Sequence, residues 1–226
     1  ISNLIFGNLV LNKHNNTPNS PMNTIVKIIS PKIDLKRFFD GTDPSLVIKD
    51  LAEIGNIDSR DALYIYPEGI LPSINLNEIQ DYSSVFGNYF QNNHKIIVGI
   101  TRYKETEIFN SMALLDNDLK LISVYDKNKL VPFGEYLPFE NFLKNYGFKK
   151  ITQGYQSFSS ASERDLIKMN DTKFLPLICY EIIYSGGLYK YSDNYDFIIN
   201  ISEDGWFGKS IGIDQHFYHS IFRSIE

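Results

Sequence analysis

Short apolar runs that end abruptly in polar residues recur along the chain and predict a set of buried β-strands. Several of them are rich in β-branched residues, as expected of strands covered on both faces. We predict strands at residues 24–29, 62–66, 95–103, 109–115, 119–125, 173–180 and 197–202.

Apolar residues at helical spacing predict helices between these strands. One helical stretch ends near Ile57, a second covers residues 74–93, and a third covers 213–226, with Phe217, Ser220, Ile221 and Ser224 on one side. Residues 13–23 are polar and interrupted by proline, and residues 133–160 carry many aromatics without a clear period, so both segments are predicted loops. Strands that alternate with helices indicate a layered α/β fold.

Length, charge and cysteine content narrow the class of protein. A chain of 226 residues fits one large domain. Its net charge is −5 and it has no block of Lys or Arg, which argues against a nucleic-acid partner. No apolar run approaches the roughly 18 to 20 residues that span a bilayer. Cys179 is the only cysteine, so an internal disulfide is impossible.

Three chemically complementary side chains each follow a predicted strand. They are Glu68, Lys127 and Cys179. Groups at the carboxyl ends of strands in α/β folds lie at one edge of the sheet, so these three could converge. Each has an ordinary alternative reading, as a solvated turn residue, a surface cation and a small buried hydrophobe respectively. The presence of all three at strand ends favours a catalytic role over these ordinary ones.

A carboxylate, a cation and a thiol together suit covalent acyl transfer. The thiol reacts as a thiolate and needs a base, which Glu68 could supply. Lys127 and the backbone N–H of Tyr180 could stabilise the oxyanion formed when Cys179 attacks a carbonyl. We expect no metal, because only His216 and His219 are closely spaced and no ligand cluster completes a site. The glycines form neither a dinucleotide motif nor a phosphate loop, and residues 202–208 are predicted to be a turn that shapes a pocket.

The motifs that carry these three residues resemble those of the nitrilase superfamily. Tyr-Pro-Glu at 66–68, Tyr-Asp-Lys at 125–127 and Cys-Tyr-Glu at 179–181 match its Glu, Lys and Cys motifs in order. Leu-Val-Pro-Phe-Gly-Glu-Tyr at 130–136 and Asn-Ile-Ser-Glu-Asp-Gly-Trp-Phe-Gly at 200–208 are similar to the apolipoprotein N-acyltransferase family in particular. The resemblance extends from about residue 24 to residue 226. Two positions depart from the family pattern, since Lys129 stands where a His is usual and Glu203 where an Asn is usual.

The resemblance implies a nitrilase-like α-β-β-α sandwich without a metal or organic cofactor. It implies that Glu68 is the general base, Lys127 the oxyanion-stabilising cation and Cys179 the acylated nucleophile. It also implies auxiliary active-site roles for Glu135, Tyr180 and Glu181. Such enzymes take an acyl chain from a phospholipid such as phosphatidylethanolamine, hold it as a thioester, and pass it to the α-amino group of the diacylglyceryl-cysteine of an apolipoprotein.

The resemblance also carries an expectation about domains and location. Residues 1–23 would be a linker after a membrane domain, and 24–226 a catalytic domain truncated at its C-terminus. The parent protein would lie in the bacterial inner membrane with this domain on the periplasmic side, and we expect little activity from the chain alone. Two alternatives stay open: a soluble carbon–nitrogen hydrolase (amidase) with the same triad, and an inactive remnant of a split gene.

An aromatic cluster in the 133–160 loop suggests a further hypothesis. Its members could form a lid that dips towards the bilayer and guides acyl chains to Cys179, or a satellite cluster packed beneath the loop. They are Phe139, Phe142, Leu143, Tyr146 and Phe148.

Overall fold

A computed structural model describes residues 5–9, 12, 24–31, 34–38, 41–139, 142, 157–185 and 195–225. The predicted loop at 13–23 and most of the predicted loop at 133–160 lie outside these residues. Three members of the proposed lid, Leu143, Tyr146 and Phe148, lie outside them too. Phe139 and Phe142 are 84% and 61% exposed.

The larger of the two sheets has five strands in the order β1-β2-β3-β4-β5. β2 pairs in parallel with both β1 and β3, whereas β4 pairs antiparallel with both β3 and β5. Their bounds are Ile25–Ile28, Ala62–Ile65, His94–Lys104, Glu107–Asp116 and Leu121–Asp126. All five were predicted from the apolar runs, with ends that differ by at most two residues.

A second sheet has the order β6-β7-β8, with β7 and β8 parallel and β6 antiparallel to β7. The strands are β6 (Ile167–Met169), β7 (Thr172–Ile178) and β8 (Phe197–Ile201). β7 and β8 were predicted. β6 was not, because it has three residues and its central Lys168 is exposed, which leaves no apolar run to recognise.

The two sheets pack face to face and share an apolar core. Their inner faces contribute Leu63, Ile97, Met112, Leu114, Phe174, Ile178, Ile199 and Ile201, among others. Helices α1 (Pro44–Gly55) and α2 (Ser83–Gly87) cover the other face of the larger sheet, where Ile48, Leu51 and Phe86 pack with Tyr64 and Val98. Burial of each such side chain contributes roughly 1.5–3 kcal/mol.

Helix α3 (Gly212–Ile225) lies beside the outer side of the smaller sheet. Phe217 and Ser220 of α3 line a cavity of about 1250 Å³ together with Ile198 and Asn200 of β8. The layers therefore follow the order helix, sheet, sheet, helix, as the α-β-β-α sandwich requires. None of the helices in the described part of the chain is long and apolar enough to cross a membrane.

The side of α3 that is buried differs from the one marked by Phe217, which is 62% exposed. His216 and Arg223 are the buried residues of this helix. Because both of these buried side chains are polar, they do not form an apolar repeat at helical spacing. The sequence pattern therefore did not identify the buried face of α3.

The helix predicted over residues 74–93 is wrong. Asn75 forms a turn in which its side chain accepts a hydrogen bond from the Asn77 N–H, and the Leu76 N–H donates to Thr101 O over 2.8 Å. Helical structure is confined to a short 3-10 turn, Ile79–Tyr82, and to α2. Other apolar residues that suggested a helix, such as Ile74 and Phe90, are buried in the core from irregular backbone instead.

Candidate active site

The turn that carries Glu68 is fixed on the neighbouring strand β3. The Tyr66 N–H donates to Ile97 O over 2.8 Å, and the Gly99 N–H donates to Pro67 O over 3.2 Å. The side chain of Glu68 is 13% exposed, so it is not the solvated turn residue of the ordinary alternative. Its Oε2 accepts a hydrogen bond from the Glu203 N–H over 3.2 Å.

Lys127 directly follows β5, and its backbone is fixed on both sides. Its N–H donates to Asn110 O over 2.8 Å, and its carbonyl accepts from the Ala161 N–H over 3.0 Å. The side chain is 1% exposed, which excludes a surface cation. Its Nζ lies 2.9 Å from Glu135 Oε1 and 3.6 Å from Glu68 Oε1. Burial lowers the pKa of Lys127, but Glu68 and Glu135 more than offset this, and the net pKa lies above its usual value.

Asn110 joins the two carboxylates that face Lys127. Its side-chain amide donates to Glu68 Oε1 over 2.7 Å and to Glu135 Oε1 over 2.8 Å. Sequence reasoning missed this residue, although an amide inside the apolar run of β4 was a visible signal of a buried polar role. Glu135 is further held by the Val131 N–H, which donates to its Oε2 over 2.9 Å.

Cys179 begins a 3-10 turn, Cys179–Ile183, at the end of β7, and its φ is +52°. A positive φ is uncommon for a residue other than glycine and places the thiol at a sharp bend. Burial raises the pKa of the Cys179 thiol, and Glu68 raises it further, whereas Lys127 and the Ser202 hydroxyl lower it. The net pKa lies above the usual value, so the resting thiol keeps its proton and needs a base.

Glu181 is a fully buried acceptor that ties the nucleophile turn to the Lys127 turn. The donors to its carboxylate are the Tyr125 hydroxyl, the backbone N–H groups of Asn128, Lys129 and Ile178, and the Arg164 guanidinium. The cation that pairs with Glu181 is Arg164, whose Nη2 lies 2.9 Å from Glu181 Oε1. Burial lowers the pKa of Arg164, and Glu181 offsets this and raises it. The geometry gives Glu181 a positioning role.

Tyr180 lies at the edge of the site, and its ring stacks on that of His216 with centroids 6.2 Å apart. Both residues line a cavity of about 550 Å³ together with Phe207 and Phe222. The residues 202–208 form a turn beside this cavity, with a 3-10 segment at Asp204–Phe207, as predicted. Over the described ranges, no group of three or more His, Cys, Asp or Glu residues is arranged to hold a metal ion.

The structure thus brings Glu68, Lys127, Glu135 and Cys179 together and places Glu181 behind them. Comparison with known proteins then gives the family. Residues 89–226 match the carbon–nitrogen hydrolase family model. The chain belongs to the carbon–nitrogen hydrolase family.

Curated relatives of this carbon–nitrogen hydrolase chain carry a more specific name. The chain is 31% identical to the apolipoprotein N-acyltransferase of Rhizobium rhizogenes, and the alignment covers 89% of this chain and 40% of that protein. It is 30% identical to the apolipoprotein N-acyltransferase of Agrobacterium fabrum over the same shares. The chain therefore spans about 40% of the length of the curated relatives it matches.

Solved structures bear out the nitrilase-like fold. A carbon–nitrogen hydrolase from Helicobacter pylori superposes with a TM-score of 0.53 at 11% identity, over 89% of this chain and 67% of that one. The amidase from Nesterenkonia sp. AN1, as a double mutant in complex with acrylamide, gives 0.53 at 8% identity, over 85% and 72%. At such identities the likeness concerns the fold alone.

Proposed function

We propose that the chain is the catalytic domain of an apolipoprotein N-acyltransferase, which moves an acyl chain from a phospholipid to the α-amino group of an apolipoprotein's diacylglyceryl-cysteine. The observation that carries the proposal is the buried cluster of Glu68, Lys127 and Cys179 in a chain whose curated relatives bear that name. The parent protein would lie in the bacterial inner membrane with this domain on the periplasmic side.

In the first half-reaction, Glu68 takes the proton of the Cys179 thiol and the thiolate attacks the ester carbonyl carbon of a phosphatidylethanolamine-like donor. Lys127 and the Tyr180 N–H stabilise the negative oxygen of the tetrahedral intermediate. The carbon–oxygen bond to glycerol then breaks, and Glu68 returns its proton to the leaving alkoxide. A lysophospholipid departs and a thioester on Cys179 is left.

In the second half-reaction, the α-amino group of the acceptor attacks the thioester carbonyl carbon. Glu68 takes a proton from the attacking amine, the carbon–sulfur bond breaks, and an amide is formed. The sulfur leaves as a thiolate and regains the proton from Glu68. Lys127 serves both steps, because its ammonium group stays charged at all ordinary pH values.

A thioester trap tests this proposal directly. The chain is incubated with phosphatidylethanolamine vesicles that carry a radiolabelled acyl chain, and protein-bound label is measured before and after neutral hydroxylamine. Little turnover is expected from the chain alone, so the label is read as a single turnover. We expect hydroxylamine-sensitive label on the wild-type chain, at no more than one acyl chain per thiol, and none on Cys179→Ala. The amidase alternative instead predicts ammonia release from short amides without acyl label. A remnant predicts neither, together with unfolding that is not cooperative, and either result would contradict the proposal.

A further inference from the structure

Both ring nitrogens of His216 face an oxygen that accepts hydrogen bonds. Nδ1 lies 2.8 Å from Asp204 Oδ1, and Nε2 lies 3.0 Å from the carbonyl oxygen of Cys179. A carboxylate and a carbonyl cannot donate, so each contact requires an N–H on the ring. An imidazole that carries both N–H groups is the imidazolium cation. Only the imidazolium form of His216 satisfies both contacts at once.

The groups around His216 support that charge. The ionisable groups that face it are Asp204, the Glu68 carboxylate and, stacked on its ring, the Tyr180 phenol. Its own helix adds Asp214 two residues before it and His219 three residues after it. Burial lowers the pKa of His216, but the hydrogen bond and charge of Asp204 outweigh burial and raise it. Burial raises the pKa of Asp204, and its hydrogen bonds with His216 and Ser202 more than offset this, so its net pKa lies below the usual value.

Asp204 also accepts a second hydrogen bond, which fixes its position. The Ser202 hydroxyl donates to Asp204 Oδ1 over 2.5 Å. Asp204 is thus held by Ser202 and linked to the Cys179 carbonyl through His216. This chain of hydrogen bonds ends on the backbone of a residue whose φ is +52°. A strained backbone of this kind persists where its surroundings hold it.

We infer that His216 is a positioning residue: as an imidazolium ion it links Asp204 to the Cys179 carbonyl and holds the bend that aims the thiol, so thiol reactivity depends on the charge of His216. The inference deepens the proposed function and rests on it only for the role of Cys179 as nucleophile. No substrate has to contact His216 for this effect.

The pH dependence follows from the hydrogen bonds. Below the raised pKa of His216 both ring N–H groups are present, and both Asp204 and the Cys179 carbonyl have a donor. As pH rises through that pKa, one N–H is lost, and either Asp204 or the Cys179 carbonyl loses its donor. The rate of thiol alkylation, which normally increases with pH as thiolate forms, should therefore show a downward step at the pKa of His216.

The test measures the rate at which iodoacetamide alkylates the chain from about pH 5 to pH 9. Cys179 is the only cysteine, so the mass increase reports on one thiol. We expect the step in the wild-type chain, a step moved to lower pH in Asp204→Asn, and no step in His216→Gln. Below the step, His216→Gln should react about ten to a hundred times more slowly. The matched control His219→Gln, on the same helix, should keep the step and the rate.

A step that persists in His216→Gln, or an unchanged rate in that variant, would overturn the inference. If the variants do not melt cooperatively, nitrogen NMR of the wild-type histidine rings decides the matter without them. A doubly protonated His216 ring at neutral pH is expected, and a neutral ring would overturn the inference. Neither readout needs a lipid, so failure of acyl transfer in the thioester trap would leave both results intact.

Discussion

The Lys127 ammonium group lies 2.9 Å from Glu135 Oε1 and farther, 3.6 Å, from Glu68. Glu135 therefore makes the closer contact with the buried cation, and the two carboxylates share its charge. Replacement of Glu135 by Gln should make Glu68 the only carboxylate partner of Lys127 and a poorer base. We expect the alkylation rate of Cys179 to fall at least about tenfold near neutral pH.

The control for this variant is Glu163→Gln, which changes an exposed carboxylate. It should alkylate at the wild-type rate. An unchanged rate in Glu135→Gln, with an unfolding transition like that of the wild type, would show that Glu135 does not support the base.

Glu181 should matter for stability more than any other carboxylate of the site. Its substitution by Gln leaves the buried Arg164 guanidinium without its charged partner and weakens the contacts to the Asn128 and Lys129 N–H groups. Loss of one partner of a buried ion pair costs about 3 kcal/mol or more. Urea unfolding followed by circular dichroism would measure the loss.

A double substitution separates the ion pair from the other contacts of Glu181. Arg164→Met together with Glu181→Gln removes both charges, so the pair variant should lose less free energy of unfolding than the sum of the two single variants. Strict additivity would contradict the view that the buried pair drives the effect. Glu163→Gln serves again as the control, with a change below about 0.5 kcal/mol.

The raised pKa of Cys179 predicts how stability changes with pH. The folded chain holds the thiol proton more tightly than the unfolded chain, whose thiol has a pKa of about 8.5. The protonated thiol therefore adds its full contribution to the free energy of unfolding below about pH 8.5. That contribution is lost as pH rises towards the folded pKa, at up to about 1.4 kcal/mol per pH unit. Burial also raises the pKa values of Tyr66 and Tyr125. These two residues change the free energy of unfolding only above about pH 10, where an unfolded tyrosine ionises.

Comparison of the wild-type chain with Cys179→Ser tests this window. Between about pH 8.5 and 10, the free energy of unfolding of the wild type should fall more steeply than that of the variant, whose side chain does not titrate. Equal slopes would mean that the folded thiol ionises as easily as the unfolded one.

The parts of the site that could be predicted are those at strand ends. Glu68, Lys127 and Cys179 stand where apolar runs stop, after β2, β5 and β7, and functional groups of α/β folds cluster at such strand ends. Asn110 and His216 lie inside a strand and a helix, and their partners are distant in sequence. The amide of Asn110 within an apolar run signals a buried polar role, but no local pattern names the partners of either residue. The failed helix at 74–93 has a similar cause, since burial by tertiary packing imitates a helical period.

Gly99 of β3 lies directly against the turn that carries Glu68. A Cβ built on Gly99 would lie 2.4 Å from the Glu68 Cα and 2.9 Å from both Gly69 N and Pro67 O, all of them backbone atoms. Contacts under 3 Å with backbone cannot be relieved by a side-chain rotation, so Gly99→Ala must push the turn away from the sheet. We expect the Cys179 alkylation rate to fall about a hundredfold, because a displacement near 1 Å moves the base out of reach. Gly87→Ala, where a Cβ meets nothing within 4 Å, is the matched control and should react like the wild type. A Gly99→Ala chain with the wild-type rate would mean that the position of Glu68 does not govern the reactivity of Cys179.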